Sequence, residues 1–235
     1  MKILSQLSLF LTLTLTSLLA NAQKSKTFQA SNFNSISISN GIDLYLSQGD
    51  TEGVTVKADD AEVINEIVVE KNGANLTIKF KDGFKLSRLF RNRGAKAYLS
   101  FKTLDALNSS GGSDVYSENQ IKADKLAIHS SGGSDLKLNL ICNNLSIESS
   151  GGSDLNLKGK ATNLILRSSG GSDINAYSLI TDYAKIESSG GSDVEVFVIK
   201  GLQASASGGS DITFKGSGAL RKTSNSKSGS VKHVN

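Results

Sequence analysis

Apolar and polar residues alternate with a period of two along most of this chain, and in its second half the alternation returns in register with a short motif. Ser-Gly-Gly-Ser-Asp occurs six times, at 110–114, 131–135, 150–154, 169–173, 189–193 and 207–211, with intervals of 21, 19, 19, 20 and 18 between successive Asp residues. Nine positions before the last five Asp residues stand Leu126, Leu145, Leu164, Ala184 and Leu202; seven before stand Ile128, Ile147, Leu166, Ile186 and Ala204. Directly after the six Asp residues come Val115, Leu136, Leu155, Ile174, Val194 and Ile212. Each unit of about 19 residues therefore predicts a strand, a Gly-Gly corner and a second strand. Such a unit is too small to bury its own apolar face, whereas stacking sets Leu on Leu and Ile on Ile. The fold class expected is all-β, a parallel β-helix. The six-residue sub-period of left-handed hexapeptide helices is missing, and the usual hand of parallel crossovers makes the coil right-handed.

Residues 29–80 alternate in the same way without Gly-Gly corners, and their Asn-Gly and Gln-Gly-Asp turns predict a strand-rich N-terminal half of meander or early coil elements that cap the stack. The only short helical turn expected is at 60–67. The domain organisation read from these patterns is one domain over 23–216, divided into an N-terminal half at 29–102 and a repeat half at 103–216. A Ser/Lys-rich segment at 217–235 follows as a last degenerate rung.

Ahead of this domain, Met1-Lys2, an apolar run to Ala20 and Ala20-Asn21-Ala22 make the pattern of a secretory signal peptide over 1–22. The run is short and Thr-rich, which favours cleavage over a membrane span. The expected location is periplasm, cell surface or extracellular space.

Composition narrows the chemistry. One Cys excludes a disulfide framework, and two His among 235 residues are too few for most imidazole-dependent sites. Neither a catalytic group nor a cofactor nor a resident metal is implied, and the chain is read as not an enzyme.

The run from Phe33 to Asp50, containing Ser39-Asn40-Gly41-Ile42-Asp43-Leu44-Tyr45-Leu46, the Ser-Gly-Gly-Ser-Asp series and a closing Phe214-Lys215-Gly216 together resemble the head GIN domain family, whose label is auto-transporter adhesin. The resemblance covers about 29–232, and the namesake Gly-Ile-Asn reads Gly41-Ile42-Asp43 here. It implies a right-handed β-helix and an exported location, and it offers no catalytic residues to carry over.

Stacking would place Asp114, Asp135, Asp154, Asp173, Asp193 and Asp211 in one column at a rung spacing of about 4.8 Å. The expectation is that each Asp and Ser caps backbone N–H groups at the corner; a calcium ladder is the alternative. The column six positions earlier, Asn108, His129, Glu148, Arg167, Glu187 and Ser205, should face solvent as an alternating-charge ladder. Cys142 is placed in a small apolar column with Ala161 and Ile180.

The charge balance breaks in one place. Between 79 and 102 lie eight basic residues and one acid, a net of +7, interleaved with Phe80, Phe84, Leu86, Leu89 and Phe90. A solvated loop is one reading. The other is a contact site for anionic glycan, lipopolysaccharide or a membrane surface, carried by Lys85, Arg88, Arg91, Arg93 and Lys96. Nucleic acid is not expected after export. Three function classes remain: a noncatalytic envelope or secreted adhesin-like module, an assembly protein, and a polysaccharide-active β-helix enzyme by analogy of fold alone.

Overall fold

The structure is a computed structural model, and it describes residues 24–84, 94–223 and 228–235. The signal-peptide segment and the candidate residues Lys85, Arg88, Arg91 and Arg93 lie outside the described residues. The chain runs through β1 (Lys24–Phe28), β2 (Ser35–Ile38), β3 (Ile42–Gln48) and β4 (Gly53–Ala58), the short helix α1 (Ala61–Asn65), β5 (Ile67–Asn72) and β6 (Asn75–Phe80). β7 (Ala95–Phe101), β8 (Ala106–Ser109) and β9 (Val115–Ser117) follow. Then come the long strands β10 (Ile121–Ser130), β11 (Leu136–Ser149), β12 (Asp154–Ser168), β13 (Asp173–Ser188) and β14 (Asp193–Ala206), and finally β15 (Asp211–Lys215), β16 (Ala219–Lys222) and β17 (Ser230–His233).

The repeat half is a parallel β-solenoid in the register its pattern predicts. Leu126 pairs with Leu145, Leu145 with Leu164, Leu164 with Ala184 and Ala184 with Leu202, and every one of them is buried. Each turn passes from one wall through the Gly-Gly corner to a second wall, as from Leu126–Ser130 through 131–135 to Leu136–Cys142. β16 and β17 lie parallel on β14 and β15. One column differs from expectation. Cys142 pairs with Ala161, and Ala161 with Thr181 rather than Ile180. A register shift after Asn156 takes up the extra residue of that turn, leaving Thr181 buried and Ile180 exposed.

Two sets of hydroxyls hold the corners. The inner Ser of a motif donates back to the carbonyl of its first Ser, at 3.0 Å from Ser134 to Ser131 and 3.1 Å from Ser172 to Ser169. The buried Ser just before the motif donates forward at four corners, as Ser109 does to the Ser113 carbonyl at 2.7 Å, whereas among the described residues Ser149 Oγ is buried without a partner and Ala206 takes the place at the last corner. Burying these hydroxyls would be costly without such partners.

The N-terminal half adds its rungs out of chain order. β2 lies between β6 and β8, and β3 between β7 and β9, all in parallel. The rung made by β2 and β3 is therefore internal: these strands are early coil elements, one of the two alternatives expected, but they do not themselves cap the stack. The physical reason is at Ser39-Asn40-Gly41-Ile42-Asp43, where Ile38 pairs with Ser109 and Leu44 with Val115. This turn is itself a corner of the series: Asn40 and Gly41 have φ of 67° and 74°, against 64° and 74° at Gly111 and Gly112. Capping falls to antiparallel β1 on β4, β4 on β7 and β5 on β6, with α1 pressing Val63 and Ile64 into the end of the core. Asp60 caps α1 by accepting from the Glu62 N–H at 2.8 Å, close to the helical turn expected at 60–67.

Candidate functional site

The corner edge of the coil gathers the charged residues. Because β3 pairs with β7 on one side and β9 on the other, Asp43 stands between Lys96 and Asp114. The column continues through Asp135, Asp154, Asp173, Asp193 and Asp211 to Ser230. At its other end Lys96 pairs with Lys57 across β4 and β7. The result is a carboxylate ladder along the coil that terminates in two lysines.

The capping expectation is met only in part, because most corner serine hydroxyls donate to carbonyls, while Ser113 Oγ accepts from the N–H groups of Gly41 and Ile42 and Ser210 Oγ from that of Ser207 at 3.0 Å. Asp114 accepts from the Asp135 N–H at 3.2 Å, and Asp211 accepts from the Ser230 hydroxyl. The remaining repulsion appears as raised pKa values. Asp43 is held above its ordinary range by burial and then by the charge of Asp114, an effect Lys96 opposes. Asp135 is raised by burial and then by Asp114 and Asp154. Among the described residues, no group of three or more His, Cys, Asp or Glu side chains is placed to hold a metal ion.

Two residues along the same strands the structure builds a feature that sequence reasoning missed. Tyr98, Tyr45 and Tyr116 stack in that order, with centroids 5.0 Å and 5.2 Å apart. Lys57 Nζ lies 4.6 Å from the centre of Tyr98, and Lys96 Nζ 5.7 Å from that of Tyr45. The Tyr116 hydroxyl donates to Asp114 at 3.2 Å, and burial followed by that carboxylate's charge pushes Tyr116 up to about 12. The signal was in the chain as a recurring triplet of charge, apolar residue and tyrosine: Asp43-Leu44-Tyr45, Lys96-Ala97-Tyr98 and Asp114-Val115-Tyr116.

Of the five candidate binding residues, Lys96 alone is described, and it sits at this basic end. Phe80 and Phe84 stack at 4.3 Å where the chain leaves β6 toward the basic segment, and Gly94 at φ 77° brings it back into β7.

The second polar feature is the expected charge ladder. His129 Nδ1 lies 3.2 Å from Glu148, Arg167 reaches Glu148 at 3.3 Å and Glu187 at 3.2 Å, and Lys185 meets Glu187 at 2.8 Å. Hydrogen bonding from Lys185 and then Arg167 holds Glu187 below its ordinary range. Between this ladder and the corner serines runs a groove of about 670 Å³. Its charges satisfy one another at the surface, a structural arrangement of small energetic weight. Cys142 is buried, and burial raises its thiol pKa, consistent with a packing role.

The profile of the family described as "Putative auto-transporter adhesin, head GIN domain" matches residues 32–218. Among curated proteins no significant match is found. Similar solved structures include one from Bacteroides fragilis described as a putative adhesin, at TM-score 0.82 and 23% identity, covering 90% of this chain and 97% of that one. One from Parabacteroides distasonis described as a putative lipid binding protein gives TM-score 0.71 and 18% identity over 91% and 97%. A third, from Parabacteroides merdae and described as a putative adhesin, gives 0.64 and 17% over 91% and 96%. At these identities the likeness shows a shared fold.

Proposed function

The chain belongs to the head GIN domain family of auto-transporter adhesins, and from that premise we propose that it is an exported, noncatalytic, adhesin-like binding domain whose basic end contacts an anionic glycan, lipopolysaccharide or membrane surface. Cleavage after Ala22 would deliver it to the periplasm or beyond.

The observation that carries this reading is the pairing of Lys57 with Lys96. Like charges directly opposite on neighbouring strands repel, and nothing in the packing of a β-sheet calls for such a pair. Asp43 stands beside only one of the two, and the tyrosine rings offset part of the cost through cation–π attraction. An anion bridging both ammonium groups would relieve the rest. The stretch from 79 to 102, with its net charge of +7, is bounded by β6 and by the β7 strand that carries Lys96. A multivalent anion therefore meets local attraction and a wider positive field, which decays over about 8 Å at physiological salt. The similar fold described as a lipid binding protein supports headgroups as one source of that anion.

The test is retention of the mature protein on immobilised lipopolysaccharide at low and high salt. Wild type is retained at low salt and released at high salt, while the triple variant Arg88→Ser/Arg91→Ser/Arg93→Ser elutes early with an unchanged circular dichroism spectrum. Equal retention of the two proteins would contradict the proposal.

A further inference from the structure

Each end of the coil leaves a strand edge open, and the two ends carry opposite charge. At the C-terminal end β16 pairs with β14 and β17 with β15, and among the described residues neither is paired with a strand on its other side. Such edges present unpaired backbone N–H and C=O groups. The apolar columns also come to the surface there. Leu202 is 1% exposed, whereas Leu220, the next member of its column, is 43% exposed, and Val231 lies over Ile212 only partly buried itself. Lys222 stands over Ala204 and His233 over Phe214. From 212 to 235 the sequence holds five bases, Lys215, Arg221, Lys222, Lys227 and Lys232, and no acid.

At the opposite end the outermost strand of the first wall is β5, which pairs with β6 alone, and α1 lies beside it over the core. From 59 to 70, across α1 and most of β5, the sequence holds five acids, Asp59, Asp60, Glu62, Glu66 and Glu70, and no base. Asp60 caps the helix and Glu66 lies 3.9 Å from Lys81, while Asp59, Glu62 and Glu70 are exposed. Of the bases at this end, Lys71 lies in the β5–β6 hairpin, and Lys24, Lys26, Lys57 and Lys96 belong to the second wall.

The strands of the first wall run parallel from β6 through β2 and β8 to β14 and β16, and β5 runs antiparallel to them. A second copy on the same axis, pointing the same way, therefore brings its β5 antiparallel to β16 of the first, a regular sheet pairing. That contact sets five acids against five bases and covers Leu220. Lysines on an edge discourage pairing with a like edge, so two basic ends repel, as do two acidic ones. Only head-to-tail order brings unlike ends together, and each added copy leaves one end of each sign open.

We propose that the partner of both ends is a second copy of this chain: the acidic α1–β5 end docks on the β16–β17 end of its neighbour, and copies assemble head to tail into open filaments. The contact spans a single coil cross-section, so it is weak and forms in concentrated protein. In dilute protein each copy presents its lateral basic surface by itself.

Sedimentation velocity on the mature protein over a wide range of concentration tests this. At low salt the weight-average sedimentation coefficient keeps rising with concentration, past that of a dimer, and high salt returns it to the monomer's. Reversing one end, by Asp59→Lys/Glu62→Lys/Glu70→Lys or by Arg221→Glu/Lys222→Glu/Lys232→Glu, lowers the association constant at least about tenfold, because each variant then has two ends of one sign. An equimolar mixture of the two variants associates again, since their reversed ends complement each other. Glu62→Gln/Glu70→Gln, which neutralises without reversing, weakens association at least about threefold at an unchanged melting temperature. The proposal is overturned if wild type stays monomeric at every concentration, if its association stops at a dimer, if either reversed variant associates as wild type does, or if the mixture stays monomeric while both variants give native circular dichroism.

Discussion

Asp43 lies beside Asp114 because Leu44 pairs with Val115, so the turn at 39–43 and the first Ser-Gly-Gly-Ser-Asp motif form consecutive corners of one edge. This contact joins the two halves of the molecule electrostatically and adds to the burial that raises Asp43. Asp43 and Asp135 both titrate above their ordinary value of 3.8. The native state therefore holds more protons than the unfolded chain from pH 3.8 up to the raised values. The contribution of these two carboxyls to stability falls as pH rises through that window and their penalty is complete above it, while the lowered Glu187 contributes with the opposite sign, its part being lost as pH falls.

Asp43→Asn removes one source of this penalty. Its melting temperature at pH 7 should exceed that of wild type by about one to a few degrees, with the gain vanishing below pH 3.8. A melting curve series across pH checks this, and a variant less stable at pH 7 with an unchanged pH profile would refute it.

The corner glycines differ in kind within one turn. Gly170 has φ 78°, and a Cβ there would meet the Gly151 carbonyl oxygen at 2.7 Å, whereas at Gly171 the same oxygen would be 3.8 Å away. Gly170→Ala should cost about 2 kcal/mol or more, and Gly171→Ala within about 0.5 kcal/mol of nothing. Urea unfolding of both variants gives the comparison, and equal losses would mean the corner is built differently.

Leu145→Asp places a charge in the stacked core column and should destabilise by about 3–5 kcal/mol. Glu148→Gln touches only the half-exposed ladder with His129 and Arg167 and should cost under about 1 kcal/mol. Equal shifts in denaturant midpoint would break the assigned register.

The repeat half was legible because its signal is translational: the same chemistry returns at the same offset, and Leu126, Leu145 and Leu164 can stack in only one register. The N-terminal half hid its topology because Ser39-Asn40-Gly41-Ile42-Asp43 keeps the corner's backbone but replaces the inner Ser by Ile42. Ser113 Oγ of the neighbouring rung instead serves this corner, accepting from the N–H groups of Gly41 and Ile42, both at 3.1 Å. Lys96 could be named from charge density, but its partner Lys57 could not, because their meeting depends on the antiparallel pairing of β4 with β7. Ile180 was misplaced for a smaller reason, one extra residue absorbed before it that brings Thr181 into the column instead.

Calcium should leave the melting temperature within about one degree, because a native-state ligand at saturating concentration would raise it measurably. Thermal scans with calcium and with EDTA make the comparison, and a rise of many degrees would assign the Asp ladder to the ion.

The position of the contact surface is the central claim, and vesicle co-sedimentation with charge variants at the two ends of the coil tests it most directly. On vesicles of anionic phospholipid at low salt, Lys57→Ser/Lys96→Ser and Arg88→Ser/Arg91→Ser/Arg93→Ser should each lower the bound fraction severalfold. Arg221→Ser/Lys222→Ser, which removes charge from the opposite end on β16, should leave it unchanged. Neutral vesicles should bind none of these proteins. Equal loss from all three variants would reduce the attraction to net charge alone, and an unaffected Lys57→Ser/Lys96→Ser protein would contradict the assignment of the basic end.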